Sequence, residues 1–275
     1  MESIDKTDDF IFYEKGQIKL LICRPLQKIG FKNAFSTRLG GISSLPHNML
    51  NLGNSRQDSI SNILENRRLF LQAIEASDWA LITANQVHST IVQTIATTTL
   101  IANDPMTCDA MVTNVPKIML ATQTADCLPI LLADIKTRAC AVIHAGWRGT
   151  LGCIVSRTIE QMRTVYGTQS VDLVAAFGPS IGICCFEVGS DVLEQFERVF
   201  DFSSHLIYRH SNGKAHINLS KINQELLMRH NVPEGNIFDC ELCTYCRKDL
   251  FFSHRRDRGT THPVGRLMGV IGKET

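Results

Sequence analysis

The sequence has 275 residues, of which 44% are apolar, and this length is sufficient for one large hydrophobic core. The formal net charge of +1 excludes the strong electrostatic field typical of proteins that bind nucleic acid or acidic lipid. No apolar run approaches the roughly 20 residues that a membrane span needs, and the acidic N-terminus does not resemble a signal peptide. We therefore expect a cytoplasmic protein that binds neither nucleic acid nor membrane.

Short apolar and β-branched runs predict eight β-strands. They cover residues 18–23, 91–95, 110–113, 118–123, 128–133, 139–143, 171–177 and 266–271. Because only the segment "DIKTR" separates the fifth run from the sixth, these two strands should form a hairpin.

Longer patterned segments predict four helices, at residues 59–76, 149–166, 189–200 and 219–230. In the second, Ile154, Ile159 and Met162 recur near helical spacing, and Gly167 supplies a stop. Strands and helices alternate irregularly, and no repeat or long linker divides the chain. The predicted fold class is α/β: a single-domain mixed α/β sandwich over residues 1–275, rather than a doubly wound parallel sheet.

Three soft donor side chains lie near the ends of predicted strands. His88 precedes the second strand, Cys127 precedes the fifth, and His144 follows the sixth. Two nitrogens and one sulfur suit a zinc ion with an open fourth position, the arrangement of catalytic zinc. The alternative is that these residues simply mark strand ends and do not meet.

The stretch "HAGWRG" around His144 places Trp147 and Arg148 between two glycines, ahead of a predicted helix. Such a turn lets backbone approach a ligand and can bind an anion. It is equally consistent with a plain strand-to-helix turn in which Trp147 caps the core.

Arginines in predicted loops are further candidates for anion binding, because a guanidinium can clamp phosphate bidentately. Arg38 in "STRLGG" and Arg56 in "GNSRQD" are two of them, although most arginines are simply solvated. The stretch "FGPSIGICCFEVG", residues 177–189, predicts either an anion-binding nest or a tight corner.

The sequence contains ten cysteines, which we expect to be thiols in a cytoplasmic protein. Cys240, Cys243 and Cys246 in "CELCTYC" have metal-ligand spacing, with His254 as a conceivable fourth ligand. A structural zinc usually has two separated knuckles, and only one is evident. We therefore favour structural or buried cysteines here.

Nine motifs, taken in order, resemble the YfiH-like laccase-domain family, also called polyphenol-oxidase-type or purine nucleoside phosphorylase-type proteins. They are "FSTRLGGIS", "NLGNSRQD", "NQVH", "DAMVTN", "ADCLPILLAD", "HAGWRG", "GPSIGICCFEVG", "CTYC" and "FFSHRRD…TTHPVGR", spanning about residues 35–269. The resemblance implies a single-domain α/β protein with a catalytic zinc. It implies that His88, Cys127 and His144 hold this zinc.

The resemblance also implies an activity. Zinc-dependent phosphorolysis of adenosine, inosine, guanosine and methylthioadenosine is expected, with deamination of adenosine as a second activity. The implied partners are purine nucleosides and phosphate, and the implied assembly is a monomer or homodimer. A four-copper laccase needs about ten histidines, largely as His-x-His pairs, whereas this chain has nine histidines and no such pair. Copper still suits a single His₂Cys site, but zinc is expected.

Asp126, directly before Cys127, is a candidate general base or an orienter of His88 or His144. Alternatively, it is a strand-end carboxylate that accepts backbone hydrogen bonds. The sequence departs from the family at Ser89, where glycine is frequent, and at His262 and Pro263, which form a short insertion.

Two other functions compete with nucleoside phosphorolysis. One is a cysteine hydrolase acting on amides, for instance in cell-wall precursors, with Cys127 as nucleophile and His144 as base. The fold implied by the resemblance is similar to that of bacterial toxins that deamidate glutamine with a Cys–His pair. The other is a non-catalytic metal-binding protein.

Overall fold

A computed structural model describes residues 9–44, 49–53, 58–97, 106–259 and 264–275. Two six-stranded sheets and one three-stranded sheet make up the β-structure of these residues. Most neighbouring strands in the two large sheets are antiparallel. The predicted mixed α/β fold is confirmed, and a doubly wound parallel sheet is excluded.

The first large sheet has the strand order β1-β2-β3-β16-β8-β5. Its strands are β1 (Phe10–Lys15), β2 (Ile18–Cys23), β3 (Phe31–Ser36), β5 (Ala80–Ile82), β8 (Ile118–Thr124) and β16 (Leu267–Lys273). Only the β5–β8 pair is parallel. The short strand β4 (Leu39–Ser43) contacts β2.

The second large sheet has the order β15-β11-β9-β10-β7-β6. Its strands are β6 (Val92–Thr94), β7 (Ala110–Thr113), β9 (Leu128–Asp134), β10 (Cys140–Ala145), β11 (Leu173–Phe177) and β15 (Ile237–Asp239). Strands β9 and β10 pair antiparallel from Leu128 with Ala145 to Ala133 with Cys140, which confirms the predicted hairpin.

The three-stranded sheet and the helices complete the described fold. The small sheet contains β12 (Glu187–Val188), β13 (Ile207–Arg209) and β14 (Ala215–Ile217). The α-helices are α1 (Arg24–Lys28), α2 (Ile60–Ala73), α3 (Trp147–Leu151), α4 (Ile154–Tyr166), α5 (Ser190–Val199), α6 (Leu219–Arg229) and α7 (His254–Asp257). Short 3₁₀ turns cover Ser170–Asp172, Ser203–Leu206 and Glu234–Asn236.

The main core lies between the two large sheets, where side chains such as Phe35 and Leu131 pack together. Helix α2 covers the outer face of the first sheet through Phe70 and Leu71. Helices α4 and α6 cover the outer face of the second sheet. Burying both faces of the second sheet explains why its central strands β9, β10 and β11 are almost continuously apolar rather than alternating. The candidate site lies at the start of β9 and the end of β10, in the middle of the second sheet.

The predicted helix over residues 149–166 is wrong in its bounds and continuity. Helix α3 already begins at Trp147, and a break separates it from α4. At the break Cys153 has a left-handed φ of 55°, and a Cβ on Gly152 would lie 2.3 Å from Thr90 Cγ2. Another loop therefore packs directly against Gly152 at the break, where no side chain fits. The predicted stop at Gly167 is confirmed, with a φ of 73°.

Of the other predicted elements, the strands at 18–23 and 110–113 match β2 and β7, and the rest are present with shifted ends. The sequence patterns did not predict the strands before residue 18 and at 31–36, 39–43, 80–82 and 237–239, the helices α1 and α7, or any of the small sheet. Within the described part of the chain, no helix has the length and apolar character required to cross a membrane.

Candidate active site

The three predicted metal ligands lie together where the central strand β9 begins and the neighbouring strand β10 ends. His88 is in the loop between β5 and β6, Cys127 directly precedes β9, and His144 lies within β10. Their ligand atoms all lie within 4.8 Å of one another, and Cys127 Sγ is 3.7 Å from His88 Nε2. The two imidazole rings meet edge to face with centroids 4.9 Å apart. We call these residues the ligand trio.

A buried carboxylate that the sequence analysis missed, Asp109, holds the trio from behind. It directly precedes β7 and is 3% exposed. Its Oδ1 lies 2.8 Å from His144 Nδ1 and accepts the His88 backbone N–H at 3.0 Å. Its Oδ2 accepts the backbone N–H of Val87 and both the N–H and Oγ–H of Ser89. One carboxylate thus fixes the His88 loop and the ring of His144.

These contacts determine which nitrogen of His144 faces the site. An ionised carboxylate only accepts hydrogen bonds, so Nδ1 carries the hydrogen and Nε2 is left free for a metal. Burial alone would raise the pKa of Asp109, but hydrogen bonds from His144 and Ser89 outweigh it and lower this pKa to about 2. Asp109 is therefore ionised at neutral pH.

Without a metal, Cys127 and His144 stabilise each other as a thiolate and an imidazolium. Burial opposes ionisation of the Cys127 thiol, but the charge of His144 and hydrogen bonds to both histidines lower its pKa to about 6. Burial likewise opposes protonation of His144, yet the Cys127 thiolate and Asp109 raise its pKa to about 9. The site therefore stabilises a thiolate, which is the form that binds metal.

Glycine is required where the backbone passes the trio. A Cβ on Gly146 would lie 2.9 Å from Cys127 Sγ and 3.2 Å from His88 Cδ2. The absence of a side chain leaves the sulfur and the imidazole free to converge on one point. With two imidazoles, one thiolate and a carboxylate behind a ring N–H, the residues present fit a catalytic zinc.

Asp126 lies next to the trio but points away from it. Its carboxylate accepts hydrogen bonds from Thr244 Oγ1 at 2.6 Å, Ser253 Oγ at 3.0 Å and the Arg255 backbone N–H at 2.6 Å. The orienting contact with His144, which the sequence left open for Asp126, is made by Asp109 instead. The sequence also allowed Asp126 to be a strand-end carboxylate that accepts backbone hydrogen bonds. Its contact with the Arg255 N–H is of this kind.

The predicted substrate-binding residues are dispersed. The exposed guanidinium of Arg148 stacks 4.1 Å above the ring of Trp147, and Trp147 packs against the core around the small sheet. Arg38 stacks 4.9 Å from the Phe252 ring centroid and donates to the Lys248 carbonyl. Arg56 lies outside the described residues, as do His262 and Pro263 of the insertion.

Arg266, which belongs to the basic stretch "SHRRDRGTTHPVGR" and is thus one of the arginines predicted to bind an anion, has its guanidinium near the trio. Burial lowers its pKa, and the negative charges of Cys127 and Asp126 oppose this effect. Its backbone N–H donates to Asn51 Oδ1, and its stem packs against Gly53. The signal available in "PVGR" was an arginine after a glycine, but the linear sequence does not show that this arginine is buried.

Two further groups of metal-ligand type occur among the described residues. Cys184, Cys185, Cys243 and Cys246 form one, so the structure separates Cys240 from the other two cysteines of its motif. Cys240 is buried in the main core, and His254 begins α7 without joining the group. The other group is Glu187, His210 and His216 on the small sheet, where Glu187 already pairs with Lys214 at 2.7 Å.

Comparison with known proteins places this geometry in a family. The sequence model described as multi-copper polyphenol oxidoreductase laccase matches residues 32–274. A purine nucleoside phosphorylase from Bacteroides thetaiotaomicron is 35% identical over 228 residues, covering 80% of this chain and 84% of that protein. Adenosine deaminase RL5, from an unknown prokaryotic organism, is 42% identical over 150 residues, covering 54% and 56%.

A solved structure agrees with the sequence matches. The crystal structure of YlmD from Geobacillus stearothermophilus superposes with a TM-score of 0.87 at 30% identity, covering 97% of this chain and all of that one. The chain therefore belongs to the YfiH-like laccase-domain family.

Proposed function

We propose that this chain is a zinc-dependent purine nucleoside phosphorylase that also deaminates adenosine. The observation that carries the proposal is the ligand trio with Asp109 behind it, in a chain similar to proteins named for both activities. The proposed substrates are phosphate with adenosine, inosine, guanosine or methylthioadenosine, and the products are the base and ribose-1-phosphate.

Three protein ligands leave one position for a substrate or water, as in catalytic zinc sites. A zinc ion held there would supply Lewis acidity toward a substrate oxygen and activate water for attack at C6 of adenosine. The residues around it supply orientation. Asp109 keeps the hydrogen of His144 on Nδ1, and Gly146 keeps the approach to Cys127 open.

Phosphate needs a cationic partner near the trio, and two arginines support this part of the proposal. Arg148 is exposed and follows Gly146 by two residues. Arg266 is close enough to Cys127 for the two charges to interact. A bidentate guanidinium contact from either residue would hold phosphate beside the ribose.

We assign Asp126 a positioning role rather than proton transfer. Its oxygens bind Thr244, Ser253 and the Arg255 backbone, and its own carbonyl accepts the Ile181 N–H at 2.9 Å. These contacts join three segments of chain directly beside Cys127.

The test is to incubate the purified protein with adenosine at several phosphate concentrations and to separate the products. We expect adenine and ribose-1-phosphate to form in proportion to phosphate, with slower release of inosine. Cys127→Ala should lose both reactions, because it removes a trio ligand. The absence of free base at every phosphate concentration would refute phosphorolysis.

The trio also supports a second candidate, a cysteine hydrolase acting on amides. Cys127, His144 and Asp109 are arranged as nucleophile, base and orienting carboxylate, and the thiolate is stabilised without a metal. The two candidates respond oppositely to chelation. A hydrolase of this kind keeps its activity when metal is removed, whereas we expect the nucleoside activities to be lost and to return on addition of zinc.

A further inference from the structure

Four cysteines form a sulfur cluster distinct from the ligand trio. Cys184 and Cys185 lie in the turn that follows Gly182, while Cys243 and Cys246 lie in a second turn far along the chain. All four sulfur atoms lie within 4.8 Å of one another. We call these four residues the cysteine cluster.

The sulfur spacing matches tetrahedral coordination of one ion. Sulfurs bound to zinc at about 2.3 Å lie about 3.8 Å apart in a regular tetrahedron. Cys246 Sγ lies 3.7 Å from Cys184 Sγ and 3.4 Å from Cys185 Sγ. Neither distance approaches the roughly 2.05 Å of a disulfide bond. The sulfurs converge as ligands of a common centre do.

The backbone around the cluster stabilises a thiolate at Cys243. The Gly182 N–H donates to Cys243 Sγ at 3.2 Å. A Cβ on Gly182 would lie 3.3 Å from both Cys184 Sγ and Cys243 Cβ, so glycine permits the two turns to approach closely. A parallel bridge also joins the turns, in which Ser180 donates to the Leu242 carbonyl and accepts the Thr244 N–H.

Positive charge is available to offset the cluster. Four thiolates around a divalent ion carry a net charge of about −2, which costs free energy unless cations lie nearby. Arg255 donates from Nη1 to the carbonyls of Cys185 and Glu187. Arg256 donates to the carbonyls of Thr244 and Tyr245, but its charge is already offset by an ion pair with Asp257. Arg255 is therefore the guanidinium, attached to a segment that carries two of the sulfurs, that we assign to this role.

We propose that Cys184, Cys185, Cys243 and Cys246 bind a second zinc ion as a closed, structural site. Four protein ligands leave no open position, so this ion would have no catalytic role. Each thiol loses its proton to solvent on binding, and no oxidation is involved. Cys184 and Cys246 are exposed, so the ion can enter from solvent.

The position of the cluster indicates how a bound ion would stabilise the fold. The turn with Ser180 and Ile181 and the turn with Thr244 both bind Asp126, the residue before Cys127. A zinc ion joining these two turns would clamp the backbone that supports Cys127. The proposal raises the expected zinc content from the one ion of the trio to two ions per chain.

The test is zinc content of the intact chain, measured by elemental analysis after equilibration with zinc and removal of the excess. We expect Cys243→Ser and Cys127→Ala each to contain one zinc fewer than the wild type, and the double variant two fewer. Cys153→Ser is the matched control, because it removes one thiol outside both sites. Since counts are compared between variants, zinc at other surfaces does not affect the conclusion.

A measurement on the wild type covers the case in which Cys243→Ser does not fold. Cobalt alone is titrated into metal-free protein, and sulfur-to-cobalt absorption is followed. We expect far stronger absorption than one thiolate produces, and its loss in Cys246→Ser. Equal zinc content in Cys243→Ser and Cys153→Ser, single-thiolate absorption in the wild type, or a Cys185–Cys246 disulfide in protein isolated without oxidant would overturn the proposal.

Discussion

Replacement of Asp109 by asparagine tests how the trio is held. The carboxylate accepts hydrogen bonds on both oxygens, from His144 and His88 on one and from Val87 and Ser89 on the other. An amide of the same shape turns one acceptor into a donor. Whichever way the amide is oriented, its NH₂ therefore faces an N–H group.

The two orientations have different costs. With the NH₂ toward His144, Nδ1 must become the acceptor, and the ring hydrogen moves to Nε2, where it blocks a metal. With the NH₂ toward Ser89, the backbone N–H groups of Val87 and Ser89 lose their acceptor. A second-layer carboxylate of this kind typically contributes roughly 10- to 100-fold to metal affinity. We expect zinc affinity to fall within that range.

The free energy of unfolding should also be lower in Asp109→Asn than in the wild type. The pKa of Asp109 is lowered from an ordinary 3.8 to about 2, and this corresponds to roughly 2 kcal/mol of preference for the ionised form. The neutral amide loses this contribution to the free energy of unfolding. Since the folded-state pKa is depressed, the contribution is complete above the unfolded pKa and disappears as pH falls through the folded one. The stability difference between wild type and variant should therefore narrow between about pH 4 and pH 2.

The assays are competition for zinc with a chromophoric chelator and urea unfolding of the metal-free protein. Asp134→Asn is the matched control, because it changes a buried aspartate at the far end of β9 that accepts the backbone N–H groups of Lys136 and Thr137 and contacts no histidine of the trio. We expect this control to retain zinc affinity. An unchanged affinity in Asp109→Asn, or an equal loss in Asp134→Asn, would refute the reasoning.

Three further predictions concern the surroundings of the trio. Cys127→Ala should lose one zinc per chain by elemental analysis, and retention of wild-type content would refute the ligand assignment. Gly146→Ala should weaken zinc binding because its Cβ would lie 2.9 Å from Cys127 Sγ, whereas Gly235→Ala, with nothing within 4 Å, should not; equal affinities would contradict this packing argument. Arg148→Ala should keep its zinc and raise the KM for phosphate several-fold while adenosine deamination suffers much less, with Arg163→Ala on α4 as control. An equal fall in both reactions at unchanged phosphate dependence would make Arg148 structural.

Periodic and apolar patterns predicted the central elements because their burial is continuous. The run at 110–113 matches β7, and the hairpin of β9 and β10 follows from two apolar runs with a short connection. By contrast, the strands of the small sheet have two or three residues each, too few to show alternation. The break before α4 lies where Thr90 packs against Gly152, and this contact between distant segments does not show in the local sequence pattern.

The candidate site was predictable where residue type alone carries the chemistry. Histidine and cysteine at strand ends made the trio a candidate, and the family motifs around them favoured it, but the carboxylate behind it did not stand out. In the sequence, Asp109 resembles any acidic residue before a buried strand. Only the structure shows that five hydrogen-bond donors from other residues converge on its carboxylate. The same holds for the cysteine cluster, because its two halves come from separate motifs, and Cys240, which shares a motif with one half, is buried elsewhere.

The path of the chain connects the ligand trio to both sheets. His88 lies on the crossing from β5 in the first sheet to β6 in the second, and Cys127 ends the crossing from β8 to β9. His144, on β10, is the third member. An ion that binds only the folded arrangement adds RT ln(1 + [L]/Kd) to the free energy of unfolding, about 2.7 kcal/mol at a hundredfold excess over Kd. Zinc at the trio would therefore join both crossings to β10 and stabilise the sandwich against unfolding.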